Sequence, residues 1–572
     1  MVIGKSDPAR MIQRDWFLLA FALLALSVST LVWVNHNQAP PSWDPADHVR
    51  AAYEYYQPLY NLDLTGFIYE FFYASRHYAP FYHLLVALLF FISPPGLFTA
   101  VIANLLLLGM AMAAIYLLGR HYYSTEAGLL AALLLPAYHI NAALVHEAFL
   151  DFALMCWVGL SLLILVRAGD FRNRRASLIL GVILGLGMLC KQTYLFFMAL
   201  PVIYSIVLPF WRGGRTTRIN IALMLAAATL LTAIWYIPHW QDVIEIYRIN
   251  RAASISEGEP PVLSYLSNLA YVNALASAQI QMPFFGIFLI GLAISLYRYR
   301  RESMPLYLCL VGGLVAFTFI ANKDIRYTMP FLPAIALLSV CWLGHLRILT
   351  VRILSITLLL VLAIANFWQA QWPAEGEGLY YHTKNFRWAI WSRNYLNYDQ
   401  RPSREDWAFP AILQLIGERA GTRIEAIQVG MAPNLVHFNP SALALLSKLW
   451  NYRGGRPRIS TAWLLGPQDW PLVARCNYII LRARAAPEEH FGEFESQLND
   501  WIQSHPEQFV KVGEFPLVSL DTHALIYEQV NDVEQVHLLG SNAGKSLGVD
   551  AGVDPDAHLF CDNVLPFRLP GH

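Results

Sequence analysis

Charge is scarce in this sequence. Asp, Glu, Lys and Arg make up 14% of its 572 residues, against 56% hydrophobic residues, and its mean hydropathy is +0.41. Soluble domains carry about 25% charged residues, so the composition excludes an ordinary soluble enzyme of this length. An excess of either sign is missing too. Forty basic residues balance forty acidic ones, so no polyanion is indicated as a partner and nucleic acid is not expected. Cysteine is sparse and scattered, six in all, with no CxxC pair and no Cys/His cluster. Cys156, Cys190, Cys309 and Cys341 sit in apolar runs and read as small core residues. Cys476 and Cys561 could pair if their domain is exported. No strong internal repeat is visible. The first apolar run, Trp16–Val34, has no convincing small-residue cleavage site, so it reads as a retained helix.

Long apolar runs are what the chain has in abundance. Runs of about 18 or more apolar residues read as membrane spans. The candidates are Trp16–Val34, Leu97–Gly119, Ala127–Val145, Ala148–Val166, Tyr194–Trp211, Ile219–Pro238, Pro283–Tyr297, Pro305–Ala321, Tyr327–Leu346 and Leu354–Gln369, and the shorter Ala176–Cys190 is required between its neighbours. The expected fold is therefore a polytopic α-helical membrane protein of about eleven spans. One further apolar stretch, Phe81–Ile92, rises only about 18 Å as a helix, short of a hydrocarbon core of about 30 Å. It reads as an interfacial helix.

Basic residues decide between these counts. With eleven spans and a cytoplasmic N-terminus, sixteen Lys and Arg fall in inside loops, notably Arg167, Arg172, Arg174, Arg175, Arg212, Arg215 and Arg218. Seven fall outside before residue 373: Arg50, Arg76, Lys191, Arg248, Arg251, Lys323 and Arg326. That asymmetry obeys the positive-inside rule. Counting Phe81–Ile92 as a span would reverse it. The organisation that follows is a membrane region, residues 1–372, with outer loops at 35–95 and 239–282. Residues 373–572 contain no span and read as a small extracytoplasmic α/β domain. Its expected strands are Arg423–Gly430, Ile459–Leu465, Tyr478–Arg482, Val510–Val512 and Ala524–Tyr527, and its helices Ser441–Leu449 and His490–Ser504. The membrane is expected to be the plasma (inner) membrane.

On this topology the notable ionisable residues share the external face: Asp44, Asp47, Glu54, Glu147, Asp151, Lys191, Lys323, Asp324 and Arg326. They are expected to converge on one cavity at the outer interface. In Pro41–Gln57, PSWDPADHVRAAYEYYQ, Asp44 stands four residues before His48 and Asp47 three before Arg50, so a helix starting near Pro45 sets them on neighbouring faces. Asp44 has two readings: N-cap ahead of Pro45, or a general base whose pKa is tuned at a low-dielectric boundary. Tyr53 and its neighbouring tyrosines are either interface anchors or stacking surfaces for a sugar. In HEAFLD, Glu147 and Asp151 are four apart on one expected helix face, and Asp151 enters an apolar run where a carboxylate is costly. Two such carboxylates can hold a divalent cation such as magnesium or manganese with waters, with Asp44 as a third candidate ligand, although nothing in the sequence demands a metal. Lys191 in CKQTY either snorkels or pairs with Asp151 or a phosphate. In NKDIRY, Lys323 and Arg326 place two cations in a short outer loop, and Arg326 offers a planar fork suited to phosphate. Arg76 and His77 precede the interfacial helix and are placed for a lipid head group. Residues 242–281 form an expected outer loop that either covers the cavity, holds a lipid tail or packs on the C-terminal domain.

Five stretches in order carry a resemblance: SWDPADH, RHYAPFYHLL, GRHYYSTEAGLLAALLLPAY, HEAFLDFALM with GLGMLCKQTYLF, and KDIRYTMPFLPAIALL. Over roughly residues 10–350 the chain resembles the GT-C glycosyltransferases that use polyprenyl-phosphate sugars, most closely the family of protein O-mannosyltransferases and the lipid A aminoarabinose transferase. The resemblance implies a polyprenyl-phosphate sugar donor, a lipid, glycan or protein acceptor, and transfer on the extracytoplasmic side. It matches Asp44 to the base, Asp151 to a second acidic position, and Arg326 and Lys191 to positions facing the donor phosphate. The usual Asp-Glu pair is here Asp44-Pro45, so Asp47 can share or take the role. The usual basic-Pro-Pro pattern is here Arg76-His77-Tyr78-Ala79-Pro80. Three other functions share these features: a lipid-linked glycan ligase or polymerase, a flippase of a lipid-linked sugar, and an inactive scaffold whose acids are committed to salt bridges.

Overall fold

The computed structural model describes residues 8–256, 258–374, 378–391, 400–421, 426–484 and 492–530. All eleven expected apolar segments are helical. Among the described residues, seven helices are long and apolar enough to cross a membrane: Gln13–His36, Leu97–Tyr122, Leu150–Ala168, Tyr194–Arg212, Arg215–Ala252, Gln281–Arg298 and Leu349–Gln371. The other four segments are shorter, at Thr125–Ala137, Arg174–Cys190, Met304–Thr318 and Met329–His345. The central helices pack closely. A Cβ on Gly119 would lie 2.5 Å from the Gly128 Cα, so the Leu97–Tyr122 and Thr125–Ala137 helices approach through paired glycines.

Two expectations need correction. Ala127–Val145 is not one helix. It breaks between Thr125–Ala137 and His139–Leu144 at Tyr138, whose backbone is extended with ψ 137° two residues after Pro136. The carbonyls around the break are satisfied by side chains, as backbone at membrane depth requires. Asn141 Nδ2 donates to the Leu135 carbonyl at 2.7 Å, Asn366 Nδ2 to Ala137 at 2.7 Å, and Gln371 Nε2 to Ala142 at 3.3 Å. The loop expected from residue 239 also begins later. One helix runs Arg215–Ser256 through Pro238, since the polar residues after Trp240 end the apolar run but keep good helix formers. A helix at Tyr265–Asn273 and a π-turn at Ala274–Gln279 follow.

The interfacial helix expected over Phe81–Ile92 spans Phe81–Leu89. Ahead of it, the Trp43–Tyr60 helix begins at N-cap Ser42. Asp44 is therefore in the first turn and is not the N-cap, and Pro45 also falls in that turn, where its missing N–H costs nothing.

Past residue 374 the chain forms a hairpin, β1 (Leu379–His382) and β2 (Arg387–Trp391), absent from the sequence expectations. Five more strands follow: β3 (Ile427–Met431), β4 (Ile459–Trp463), β5 (Tyr478–Arg482), β6 (Phe509–Leu517) and β7 (Thr522–Gln529). They build one sheet in the order β4-β3-β5-β7-β6. β3 pairs in parallel with β4 and β5, and β7 runs antiparallel between β5 and β6. Residues 422–425 and 490–491, at the starts of an expected strand and helix, lie outside the described residues, as does Cys561; the helix is seen at Gly492–Ser504. Alternate residues of β5 serve opposite faces, Tyr478 and Ile480 in one core and Ile479 and Leu481 in another. The β3–β4 crossover helix, Pro440–Tyr452, packs on Trp43–Tyr60 and brings this sheet against that helix. Cys156, Cys190, Cys309, Cys341 and Cys476 are all buried thiols.

Candidate active site

The site forms where four separated stretches meet. The Trp43–Tyr60 helix supplies Asp44 in its first turn. The turn after His139–Leu144 supplies residues 145–149, and the next helix opens with Asp151. Lys191 caps the C-terminal end of Arg174–Cys190. The 321–328 loop supplies Arg326.

Two ion pairs organise it. Arg326 Nη1 lies 3.0 Å from Asp44 Oδ2. Lys191 Nζ donates to both oxygens of Asp151 at 2.9 Å. The pairs are adjacent, because Tyr327 follows Arg326 in the chain and its ring centroid lies 5.0 Å from Lys191 Nζ. The Arg326 guanidinium also sits 4.1 Å from the Phe149 ring centroid, two residues before Asp151. His48, one turn beyond Asp44, is buried with Nδ1 3.1 Å from His83 Nε2. Burial pushes its pKa down to about 3; Asp44 opposes this, and Lys191 and Arg326 add to it. The adjacent pairs bring Asp44, Asp151, Lys191 and Arg326 together.

A polar chain anchors the 145–149 turn. Tyr82 of the Phe81–Leu89 helix donates to Asn104 Oδ1 at 3.0 Å, and Asn104 Nδ2 donates to the carbonyls of Val145 at 3.2 Å and Glu147 at 2.6 Å. This fixes the turn that carries Phe149 beneath Arg326. Asn104, Tyr82 and Phe149 were not among the sequence candidates. An Asn inside an apolar span was the available signal, since such a side chain needs a partner there. Glu147 lies in this turn, outside the helix that begins at Leu150, so it does not share a helix face with Asp151 as expected. It is buried, burial lifts its pKa to about 8, and its Oε2 has no hydrogen-bond partner among the described residues. At neutral pH the carboxyl is largely protonated and able to donate.

The remaining candidates lie elsewhere. Asp47 is tied to Arg50 at 3.3 Å and to Ser441 Oγ at 2.9 Å, at the join with the Pro440–Tyr452 helix. Tyr53 is buried there too, 6.0 Å from the Tyr452 ring. Lys323 caps a helix: Nζ donates to the carbonyls of Phe317 at 2.7 Å, Thr318 at 3.2 Å and Ile320 at 2.5 Å. Arg76 is exposed beside the Tyr73 ring at 5.5 Å. His77 is partly buried, its pKa lowered by burial and raised by Asp242 of the Arg215–Ser256 helix. Among the described residues no group of three His, Cys, Asp or Glu side chains could hold a metal ion, and Asp44 and Asp151 each face a cation.

The comparisons with known proteins bear on the fold. Residues 77–239 match the family of dolichyl-phosphate-mannose-protein mannosyltransferases, a segment containing Glu147, Asp151 and Lys191. The fold is similar to ArnT from Cupriavidus metallidurans bound to undecaprenyl phosphate, with a TM-score of 0.56 and 13% identity over 91% of this chain and 98% of that one. The same protein in the apo state gives 0.55 and 13% over 90% and 98%. No curated protein matches the sequence. The chain is a polytopic membrane protein with the GT-C fold. Within that class, its residues 77–239 carry the pattern of the mannosyltransferase family named above.

Proposed function

We propose that this protein is a membrane glycosyltransferase that takes a sugar from a polyprenyl-phosphate donor and passes it to an acceptor hydroxyl on the extracytoplasmic side. The observation that carries the reading is the meeting of Asp44 with Arg326, beside the Asp151–Lys191 pair. Displacement at an anomeric carbon needs a base on the acceptor side and positive charge on the departing phosphate. Asp44 is the base, taking the proton of the attacking hydroxyl as the bond to phosphate breaks, and the product is inverted. Arg326 and Lys191 face the phosphate; Asp151 orients Lys191. A site at the bilayer edge lets the donor's tail stay in lipid while its sugar meets a polar acceptor, and holding the two together supplies much of the acceleration.

The orientation proposed with this reading has the N-terminus in the cytoplasm of the inner membrane and residues from 373 outside. A reporter inserted after residue 213 is then cytoplasmic, and an external reporter there contradicts it. An inactive scaffold shares the ion pairs of Asp44 and Asp151, and turnover separates the two. The experiment is the purified protein in lipid nanodiscs with radiolabelled polyprenyl-phosphate sugars and candidate lipid, glycan and peptide acceptors. Label moving covalently to an acceptor supports the transferase. In proteoliposomes, label that crosses the bilayer still on its carrier supports a flippase instead, and a whole glycan moved at once supports a ligase.

A further inference from the structure

Resting on the reading of Arg326 as a donor-phosphate contact, we propose that Asp324 is a positioning residue: it fixes the Arg326 guanidinium so that the edge now turned to Asp44 is the edge presented to the phosphate of a polyprenyl-phosphate carrier. Asp324 Oδ1 accepts the backbone N–H of Arg326 at 2.8 Å, and Oδ2 accepts Nε at 2.6 Å. Nη2 also contacts Oδ2. Asp324 therefore takes the Nε/Nη2 edge of the fork, and Phe149 lies against the guanidinium at 4.1 Å. Nη1 reaches Asp44.

The two carboxylates are built differently. Asp324 is two residues from Arg326 in the same short loop, and both side chains are 4% exposed. Its bonds to backbone and side chain lock the guanidinium to the loop, and a buried charged pair of this kind is not readily broken. Asp44 comes from a helix 282 residues away, and its side chain is 19% exposed. It is the partner that solvent and an incoming anion can reach. A phosphate oxygen and a carboxylate oxygen suit the same N–H donors. Arrival of the donor then exchanges Asp44 for phosphate at Nη1, and the Asp44 carboxylate turns to the acceptor hydroxyl. The exchange breaks one ion pair and makes another, with no covalent change. Base and phosphate contact are thereby coupled: Asp44 leaves Arg326 only when the leaving group has arrived.

The test uses the full-length protein in nanodiscs, with undecaprenyl phosphate as probe and undecaprenol as the phosphate-free control. On charge alone, removing either carboxylate strengthens the pull of Arg326 on an anion. The positioning account separates them. Asp324→Asn weakens phosphate-dependent binding about tenfold, as loss of a hydrogen bond to a charged group does, while Asp44→Asn binds as tightly as wild type or more tightly. Asp324→Glu keeps the charge but cannot hold both the backbone N–H and Nε, so it weakens binding as well; it also serves if Asp324→Asn does not fold. Wild-type or tighter binding by the folded Asp324 variants, with Arg326→Gln weakened, overturns the positioning role alone. Wild-type binding by Arg326→Gln, or equal binding of undecaprenyl phosphate and undecaprenol by the wild type, overturns instead the phosphate reading beneath it.

Discussion

Ser441 Oγ donates to Asp47 Oδ2 at 2.9 Å across 394 residues of chain. This bond joins the Trp43–Tyr60 helix to the Pro440–Tyr452 crossover helix of the C-terminal sheet. Lys448 and Glu54 add a second link at 3.5 Å, and Trp43 Nε1 donates to Asn434 Oδ1 at 2.6 Å nearby. The residues that flank the candidate base are therefore clamped by the C-terminal lobe.

The clamp predicts a pH dependence. Burial lifts the Asp47 pKa from 3.8 to about 7, outweighing Arg50 and Ser441, which lower it. A raised folded-state carboxyl binds a proton that the unfolded chain has released, so its contribution to stability falls as pH rises. The window runs from about pH 4, where the unfolded carboxyl ionises, to about 7. Glu70 acts in the same direction, lifted to about 7 by burial and by Glu54. Thermal midpoints measured from pH 4.5 to 7.5 are expected to decline more steeply for wild type than for Asp47→Asn. Parallel curves for the two proteins contradict the assignment to Asp47.

The Asp151–Lys191 pair predicts non-additive stability. Both side chains are buried, so Lys191→Met leaves Asp151 unpaired and costs about 3–5 kcal/mol. Asp151→Asn in the same chain restores most of this, because two neutral groups replace the orphaned charge. Transfer activity is not restored, since Lys191 faces the donor phosphate in the proposed reaction. A thermal-shift cycle on the four proteins checks the first part and a transfer assay the second. Additive losses of stability contradict the pairing.

Lys323 is expected to matter for stability and not for phosphate. Its ammonium closes the carbonyls left at the end of the Met304–Thr318 helix. Lys323→Ala is expected to lose about 1–3 kcal/mol with the affinity for undecaprenyl phosphate unchanged. A selective loss of phosphate affinity at full stability contradicts the capping role.

How legible this was in the sequence differs by feature. Among the described residues, apolar runs located the seven helices long and apolar enough to cross a membrane, because burial in lipid is a compositional property. They could not reveal where helices break or persist. A helix ends at Tyr138 inside an apolar run, while Pro238 lies within a helix that outlasts one. The break is tolerable only because Asn141, Asn366 and Gln371 meet its carbonyls, and two of those three are over 200 residues distant. Asp44, Asp151, Lys191 and Arg326 were legible as costly charges on one side. Their pairing was partly so: Lys191 with Asp151 was one option, whereas Arg326 read as a phosphate contact and nothing in the sequence singled out its meeting with Asp44. Asp47 and Lys323 read as site residues because a charge near a cavity and a charge near a domain join or a helix end look alike in sequence. Their partners, Ser441 and backbone carbonyls, carry no signal of their own. The β1–β2 hairpin escaped because strands of four and five residues have too few alternations to register.

The central claim is that Asp44 is the base for sugar transfer beside a phosphate held by Arg326. Single-turnover transfer from a radiolabelled polyprenyl-phosphate sugar, with the anomeric configuration of the product read by NMR, tests it most directly. The account predicts an inverted product from wild type and a rate about 10²–10⁴-fold lower for Asp44→Asn, with undecaprenyl phosphate still bound. Transfer by folded Asp44→Asn at the wild-type rate, or retention of configuration, would contradict it.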